Sequence, residues 1–404
     1  MNKIQTATYY LGLLFCLMSG LLLEACSGDS TSDSRSDNSS SDRVVRLSAG
    51  ARQYHVDDAE MASAPGLTRT VTFPSPSSDW TPIIPSDNML VFIAKDKENA
   101  SPSDVLSRLF YATTNSGWQS NITITDAGLD NNYLIYGFMP IDAENVSISL
   151  LSTNTNYKAG ATMYIKGLKV LTQTDPCVIV GVGKQETSTS DVTLKWGTFD
   201  FTFKEGTSDV TDYMSILLDH IYSRYHFKVK IDADYAKLRT IKITKMTLEA
   251  LNKDGQTLGS VNATVNIQAN TTNSNPLSGV TFSRNVGARM VTLFDKTTTT
   301  NTSYTNGIVL DKINTDFQEA GFCLAPGDQR IFRLTTEYEV YDREDKQIRT
   351  NKVSNTFNTA NFKDKKITNM APGLEHTIQI IVNPTYLYVL SDSDLDNPPF
   401  DINN

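Results

Sequence analysis

The stretch FRLTTEYEV at residues 332–340 decides the fold class, because apolar and polar side chains alternate along most of its length. A period of two is typical of a strand that buries one face and exposes the other. The two faces are Phe332, Leu334, Tyr338 and Val340 on the inside and Arg333, Thr335, Glu337 and Glu339 on the outside. The stretch therefore predicts a half-buried strand.

Most of the remaining chain carries the same signal, so the predicted fold is mainly β. Short apolar runs recur, separated by turn residues at intervals of roughly ten residues. The clearest of them are residues 44–47, 89–94, 118–124, 133–140 and 177–182. The apolar phase shifts at Gly197 and again between Ile243 and Met246, which predicts a turn or bulge at each place. Many short strands with this spacing indicate two β-sandwiches in series.

One short helix is predicted within the first sandwich. Its apolar residues recur at helical spacing, and Ser208 or Thr211 could cap its start. They are Val210, Tyr213, Met214, Leu217, Leu218 and Ile221.

A polar stretch suggests where the two domains meet. Residues 268–279 consist of Asn, Thr, Ser, Ala, Gln, Pro and Gly apart from Leu277, a composition typical of a linker. We therefore predict an N-terminal sandwich at residues 44–268 and a C-terminal sandwich at residues 269–404.

The N-terminal residues are typical of an export signal. An uncharged, largely apolar segment follows Lys3 and ends at Leu23, and Ala25 stands directly before Cys26, which predicts a signal peptide over residues 1–25. Leu23 and Ala25 before Cys26 resemble a bacterial lipobox, in which Cys26 would carry the lipid, although Glu24 is unusual for that motif. An ordinary signal peptide cut near Ala25 is the alternative. Residues 26–43 are acidic and rich in Ser and Asp, and they predict a flexible tether.

Composition argues against one class of function, and the cysteine count limits the possible disulfides. The net charge of −9 and the lack of a basic stripe argue against nucleic-acid binding. Once Cys16 leaves with the signal and Cys26 takes the lipid, Cys177 and Cys323 remain, both in apolar strand-like runs. We expect two separate buried thiols, while a disulfide between them stays open.

The sequence contains no recognisable motif for catalysis, metal binding or phosphate binding. The four histidines, His55, His220, His226 and His376, show no metal-ligand spacing, and His220 falls in the predicted helix. There is no Gly-x-Ser-x-Gly elbow and no complete phosphate-binding loop. We therefore expect no enzyme activity, no catalytic or metal-binding residues and no cofactor.

Several segments together resemble the fimbrillins of Bacteroides. They are the lipobox, the acidic tether, FY at 110–111, Trp118, YLIYGFMP at 133–140, LDHI at 218–221, FRLTTEYEVYD at 332–342, and the closing motifs PG at 372–373, HTIQI at 376–380 and PTYLYVL at 384–390. The resemblance covers essentially the whole mature chain, and the order of the segments carries it.

This resemblance implies two transthyretin-like β-sandwiches and a role as a structural or tip subunit of a type V pilus that supports adhesion. Such subunits reach the outer membrane and cell surface as lipoproteins, lose their first strand to an arginine-specific protease, and receive a strand from a neighbouring subunit. The implied partners are other subunits, the outer membrane through Cys26, and a receptor on a host or bacterial surface.

The resemblance also implies a processing arginine near the first strand. Arg46 is the first candidate, with Arg43 and Arg52 behind it. The alternative for Arg46 is a charged residue on an edge strand with no processing role. For the whole protein, the alternative is a monomeric surface lipoprotein that binds glycan or a host protein.

Overall fold

The computed structural model describes the chain from Ser40 onward with gaps. The described residues are 40–56, 71–73, 80–82, 87–113, 117–125, 128–129, 131–152, 154–185, 192–203, 211–269, 275–310, 322–327, 330–362, 367, 370–382 and 400–403. Ala25, Cys26 and most of the predicted tether lie outside them, as does the closing motif at residues 384–390.

The described residues are mainly strands. The first half contains β1 Ser40–Arg52, β2 His55–Val56, β3 Val71–Phe73, β4 Trp80–Pro82, β5 Met89–Lys95, β6 Val105–Thr113, β7 Gly117–Thr125, β8 Asn132–Met139, β9 Asn145–Leu150, β10 Gly160–Lys169, β11 Leu171–Thr172, β12 Cys177–Gln185, β13 Val192–Leu194 and β14 Asp200–Thr202. The second half contains β15 Thr211–His220, β16 Ser223–Ile231, β17 Thr240–Leu251, β18 Leu258–Gln268, β19 Leu277–Val286, β20 Val291–Asp295, β21 Ile308–Leu310, β22 Phe322–Leu324, β23 Ile331–Tyr341, β24 Gln347–Asn358, β25 Leu374–Val382 and β26 Phe400–Asn403.

The largest sheet gathers nine strands from the first part of the chain. Its order is β12-β15-β1-β7-β6-β5-β8-β14, with β4 paired to β1. A further pairing between β12, at one end of this path, and β8, next to the other end, closes seven of its strands into a hydrogen-bonded ring. The ring leaves few unpaired edges, which limits unwanted strand pairing.

The other strands form four smaller sheets. Their orders are β19-β18-β10-β9, β11-β22-β16-β25-β2 with β26 on β25, β20-β17-β23-β24 with β21 on β17, and β13-β3. Strands that are far apart in sequence pair in most of them.

The alternating stretch at residues 332–340 forms β23 as predicted. Burial along this strand alternates at every residue, and the inward side chains belong to the core. The two predicted phase shifts are also confirmed. Gly197 turns the chain with a φ of 70°, and the register of β17 against β23 shifts between Ile243 and Lys245.

The predicted helix at residues 210–221 is wrong. Thr211–His220 is strand β15, and every residue from Met214 onward is buried. A strand buried on both faces carries apolar residues on both, and such a run imitates helical spacing. The described residues contain one α-helix instead, α1 Ala233–Ala236, whose start is capped by the Asp232 side chain. No described helix has the length and apolarity needed to cross a bilayer.

The predicted domain boundary between residues 268 and 269 falls inside a hairpin. Strand β18 ends at Gln268 and pairs along its length with β19, the next strand. Strands from both sides of the boundary also share sheets, since β17 pairs with β23 and β16 with β25. The nine-stranded sheet takes its strands from residues 40–220, while β2, β9, β10 and β11 from the same part of the chain pair in the smaller sheets.

Candidate functional site

The first described strand lies inside the nine-stranded sheet rather than at its edge. Strand β1 runs parallel to β15, from Val44 opposite Thr211 to Ala51 opposite Leu218. It runs antiparallel to β7, and Leu47 is the last residue of that pairing. Beyond Leu47, the end of β1 pairs with β4. The strand is therefore hydrogen-bonded to neighbours over its whole length.

Strand β1 begins earlier than the sequence indicated. The predicted first strand started at residue 44, and the structure starts it at Ser40, inside the predicted tether. The polar residues before Val44 contribute to the ladder through their backbone, which apolar patterning does not report.

One face of β1 contributes to the core. Val45, Leu47 and Ala49 are each at most 4% exposed. The neighbouring strand β7 approaches closely at Gly117, where a Cβ atom would lie 2.8 Å from the carbonyl oxygen of Leu47. The neighbouring strands therefore pack closely against β1. Loss of β1 would leave an apolar groove between the unpaired edges of β15 and β7.

The three candidate arginines occupy different environments. Arg43 is 1% exposed, and its Nη1 lies 3.4 Å from Oδ2 of Asp212 on β15. Arg46 projects into solvent, but its backbone is enclosed between Tyr213 and Gln119.

Arg52 is the last residue of β1. Its Nη1 lies 3.3 Å from Oδ2 of Asp219, and its guanidinium stacks 5.1 Å from the centre of the Trp196 ring. The following Gln53 is exposed and belongs to no strand. The bond between Arg52 and Gln53 is therefore at the junction of a paired strand and a connecting segment.

A second cluster lies beside the end of β1, in a cavity of about 630 Å³. His220 Nδ1 is 2.8 Å from Oδ2 of Asp175 and 3.4 Å from Sγ of Cys177. Tyr54 stacks on the His220 ring with centroids 3.8 Å apart and donates its hydroxyl to Asp175.

The sequence analysis placed His220 on a helix, and this placement was wrong. It also found no metal-ligand spacing around this residue. In the structure, Cys177 and His220 are paired residues of β12 and β15. The short spacing between Asp175 and Cys177 was visible in the sequence, but a partner 43 residues from Cys177 becomes apparent only when the strand pairing is known.

The electrostatics of this cluster favour un-ionised thiols. Burial raises the pKa of Cys177 well above its ordinary value. It also raises the pKa of Cys323 to about 12. Both cysteines are free and buried, as the sequence favoured. For His220, burial lowers the pKa, but the adjacent Asp175 carboxylate outweighs it and the pKa is raised.

The cluster differs from a catalytic triad. In a triad, the nucleophile and the carboxylate meet opposite nitrogens of the histidine ring. Here Asp175 and Cys177 both meet Nδ1, while Nε2 donates to the backbone oxygen of Arg52 at 2.5 Å. The raised pKa of Cys177 disfavours the thiolate form that an activated nucleophile needs.

Comparison with known proteins gives distant matches among solved structures. No family model matches the sequence, and no curated protein does. A candidate cell adhesion protein of Bacteroides fragilis is 13% identical with a TM-score of 0.38, and the match covers 89% of this chain and 97% of that one. A fimbrial protein of Bacteroides vulgatus is 11% identical with a TM-score of 0.35, over 88% of this chain and 98% of that one.

Proposed function

We propose that this protein is a subunit of a type V pilus, either structural or at the tip, that polymerises by strand exchange and supports cell adhesion. Strand β1 is the segment that leaves, and a strand from a neighbouring subunit takes its place. The chain is delivered to the outer membrane as a lipoprotein through Cys26, and it performs no catalysis.

The observation that carries this proposal is the placement of β1. It is the first described strand of the chain, yet it lies between β15 and β7. Because β1 precedes every other described strand, one cut after it frees it without breaking any later connection. Its loss would leave two edges with unpaired N–H and C=O groups beside exposed apolar side chains. Such a groove is a template for strand addition.

We place the processing cut after Arg52 rather than after Arg46. A protease needs an extended segment that is free of its neighbours, and the backbone at Arg46 is paired on both sides. A cut there would also leave residues 47–52 in the groove. A cut after Arg52 releases the whole strand at a bond that leads into exposed Gln53. The Arg52 backbone is paired on one side only, with Trp80 of β4, and its carbonyl oxygen accepts from His220. These contacts and the ion pair between Arg52 and Asp219 must open before the bond is cut.

Arg43 suits processing least. Its side chain is buried and paired with Asp212, and it lies near the start of β1. A cut after Arg43 would leave most of the strand in place. We assign it the role of holding β1 in register.

The test is to treat the purified protein with an arginine-specific protease for a short time. New N-termini are sequenced, and the product is analysed by size-exclusion chromatography and electron microscopy. We expect an N-terminus at Gln53 followed by polymers. The Arg52→Gln variant should stay uncut at this bond and monomeric, while the matched Arg46→Gln variant should behave as wild type.

Two outcomes would contradict the proposal. A product that starts at Leu47 would overturn the assignment of Arg52. A chain cut after Arg52 that stays monomeric would overturn strand exchange and favour the monomeric lipoprotein that binds glycan or a host protein.

A further inference from the structure

Three potential metal ligands meet beside the end of β1. One ligand atom each from Asp175, Cys177 and His220 lies within 4.8 Å of the other two. Cys177 and His220 are opposite residues in the ladder between β12 and β15, so the backbone fixes their separation. Asp175 lies two residues before Cys177, on the segment that leads into β12.

Neighbouring groups orient two of these ligands as metal sites require. The Nε2 hydrogen of His220 is donated to the backbone oxygen of Arg52, which directs Nδ1 towards Asp175 and Cys177. The Tyr54 hydroxyl donates to Oδ1 of Asp175 at 2.7 Å and leaves Oδ2 facing the histidine. A histidine ligand typically donates its other ring N–H to a carbonyl or carboxylate, and ligating carboxylates are themselves hydrogen-bonded.

The surroundings supply access and room for a further ligand. Asp175, Cys177 and His220 all line the cavity of about 630 Å³. Zinc sites with three protein ligands keep a fourth position for water or another small ligand. The cavity can provide that position.

We propose that Oδ2 of Asp175, Sγ of Cys177 and Nδ1 of His220 bind one divalent transition-metal ion, with Zn²⁺ the best fit. Thiolate and imidazole together select zinc over the hard cations Mg²⁺ and Ca²⁺. On binding, Cys177 loses its thiol proton and His220 loses the proton on Nδ1, and both protons go to solvent. The carboxylate and the thiolate then balance the two positive charges of the ion. The site is proposed for the uncut chain, because the backbone oxygen of Arg52 that orients His220 lies on β1.

Cobalt provides a direct probe, because a Co²⁺ ion bound by a thiolate gives a ligand-to-metal charge-transfer band. The purified protein is stripped with a chelator and titrated with Co²⁺, and then Zn²⁺ is added to displace it. We expect one equivalent of Co²⁺ with a charge-transfer band and visible bands typical of tetrahedral coordination. Cys177→Ser should abolish the charge-transfer band, and His220→Gln or Asp175→Asn should weaken binding at least tenfold.

Matched controls separate this site from ordinary buried groups. His226 pairs with Glu375 at 3.4 Å and is not one of the three proposed ligands, so His226→Gln should leave the titration unchanged. Cys323→Ser should also keep the band, because Cys323 is not one of the three ligands. Tyr54→Phe should keep the band and weaken binding by roughly 10- to 100-fold, as loss of a hydrogen bond to a ligand does.

The proposal fails if the wild-type protein shows no thiolate band, or if the band persists in Cys177→Ser. If Cys177→Ser does not fold, X-ray absorption of the Zn²⁺-loaded wild-type protein decides the matter. A single sulfur at about 2.3 Å supports the site. A coordination shell without sulfur overturns it.

Discussion

Arg43 of β1 and Asp212 of β15 form an ion pair inside the protein, with Nη1 3.4 Å from Oδ2 and side chains that are 1% and 0% exposed. Among the described residues, Nε and Nη2 of Arg43 have no hydrogen-bond partner. A charge pair with incomplete hydrogen bonding contributes little net stability, because removing both groups from water is costly. The pair therefore fixes the position of β1 more than it strengthens its attachment.

A double-mutant cycle tests this interpretation. Arg43→Met alone leaves the Asp212 carboxylate buried without its cation, and we expect the free energy of unfolding to fall by about 3–5 kcal/mol. Arg43→Met combined with Asp212→Leu removes both charges and should recover most of that loss. Urea denaturation followed by circular dichroism measures the free energy of unfolding of Arg43→Met, Asp212→Leu and the double variant. A double variant whose loss equals the sum of the losses in the two single variants would contradict the prediction.

Trp118 should report whether β1 occupies its groove. It is 1% exposed and lies opposite Leu47. Removal of β1 by cutting after Arg52 should therefore shift its emission to longer wavelength. The measurement uses a background with Trp80→Phe and Trp196→Phe, because Trp80 is paired with Arg52 and Trp196 contacts its side chain, so both would respond as well.

A peptide of residues 40–52 should then reverse the shift. Replacing Val45 and Leu47 in this peptide by Ser removes two buried side chains worth about 1.5–3 kcal/mol each. We expect its binding to be at least about 100-fold weaker, since about 1.4 kcal/mol corresponds to a factor of ten. Equal binding of the two peptides would show that the groove does not recognise the apolar face of β1.

Gly117 should be intolerant of any side chain. A Cβ atom there would meet the backbone oxygen of Leu47 at 2.8 Å, so β1 or β7 must shift. We expect Gly117→Ala to cost about 1–3 kcal/mol, as overpacking does, and to speed cutting after Arg52. Gly279→Ala is the matched control on a strand, because its nearest neighbour is 3.7 Å away. Similar effects of both substitutions on denaturation and cutting would contradict the prediction.

Asp295 should make a stability contribution that depends on pH. Its pKa is lowered from 3.8 to about 2, because the Thr297 hydroxyl and Lys245 bond to the charged carboxylate. The contribution is present above the unfolded value of 3.8 and is lost as the pH falls towards 2. Asp295→Asn should therefore lower the melting temperature at pH 7 and leave it unchanged near pH 2. A difference that persists at the lower pH would identify another cause.

The sequence predicted the elements whose pattern is local. Strand β23 buries one face and exposes the other, so its alternation appears directly in the residues. Strand β15 is buried on both faces from Met214 onward and shows no alternation of polar and apolar residues, so spacing alone could not distinguish it from a helix. The residues between β18 and β19 are polar, as the residues of a linker between domains are. Only the pairing of β18 with β19 shows that they connect the two strands of a hairpin.

The candidate site was predictable only in part. The position of Arg52 in the sequence made it one of three processing candidates. Our preference for Arg52 over Arg46 depends on where β1 ends and on what the Arg52 side chain contacts. A long stretch that contains β13 and β14 separates the proposed ligand His220 from Asp175 and Cys177, so no short motif contains all three. Both features depend on strand register, which arises from pairing between distant segments.

Under the proposed strand exchange, the parallel pairing of β1 with β15 would give the assembly a polarity. A donated strand that follows the path of β1 must run in the same direction along β15. Each joint then has a distinct giving side and receiving side, as in a head-to-tail contact. Contacts of this kind do not close into a symmetric dimer, and repeated without closure they build an open filament. The direction of one hydrogen-bond ladder would thus set which end of a fibre can grow.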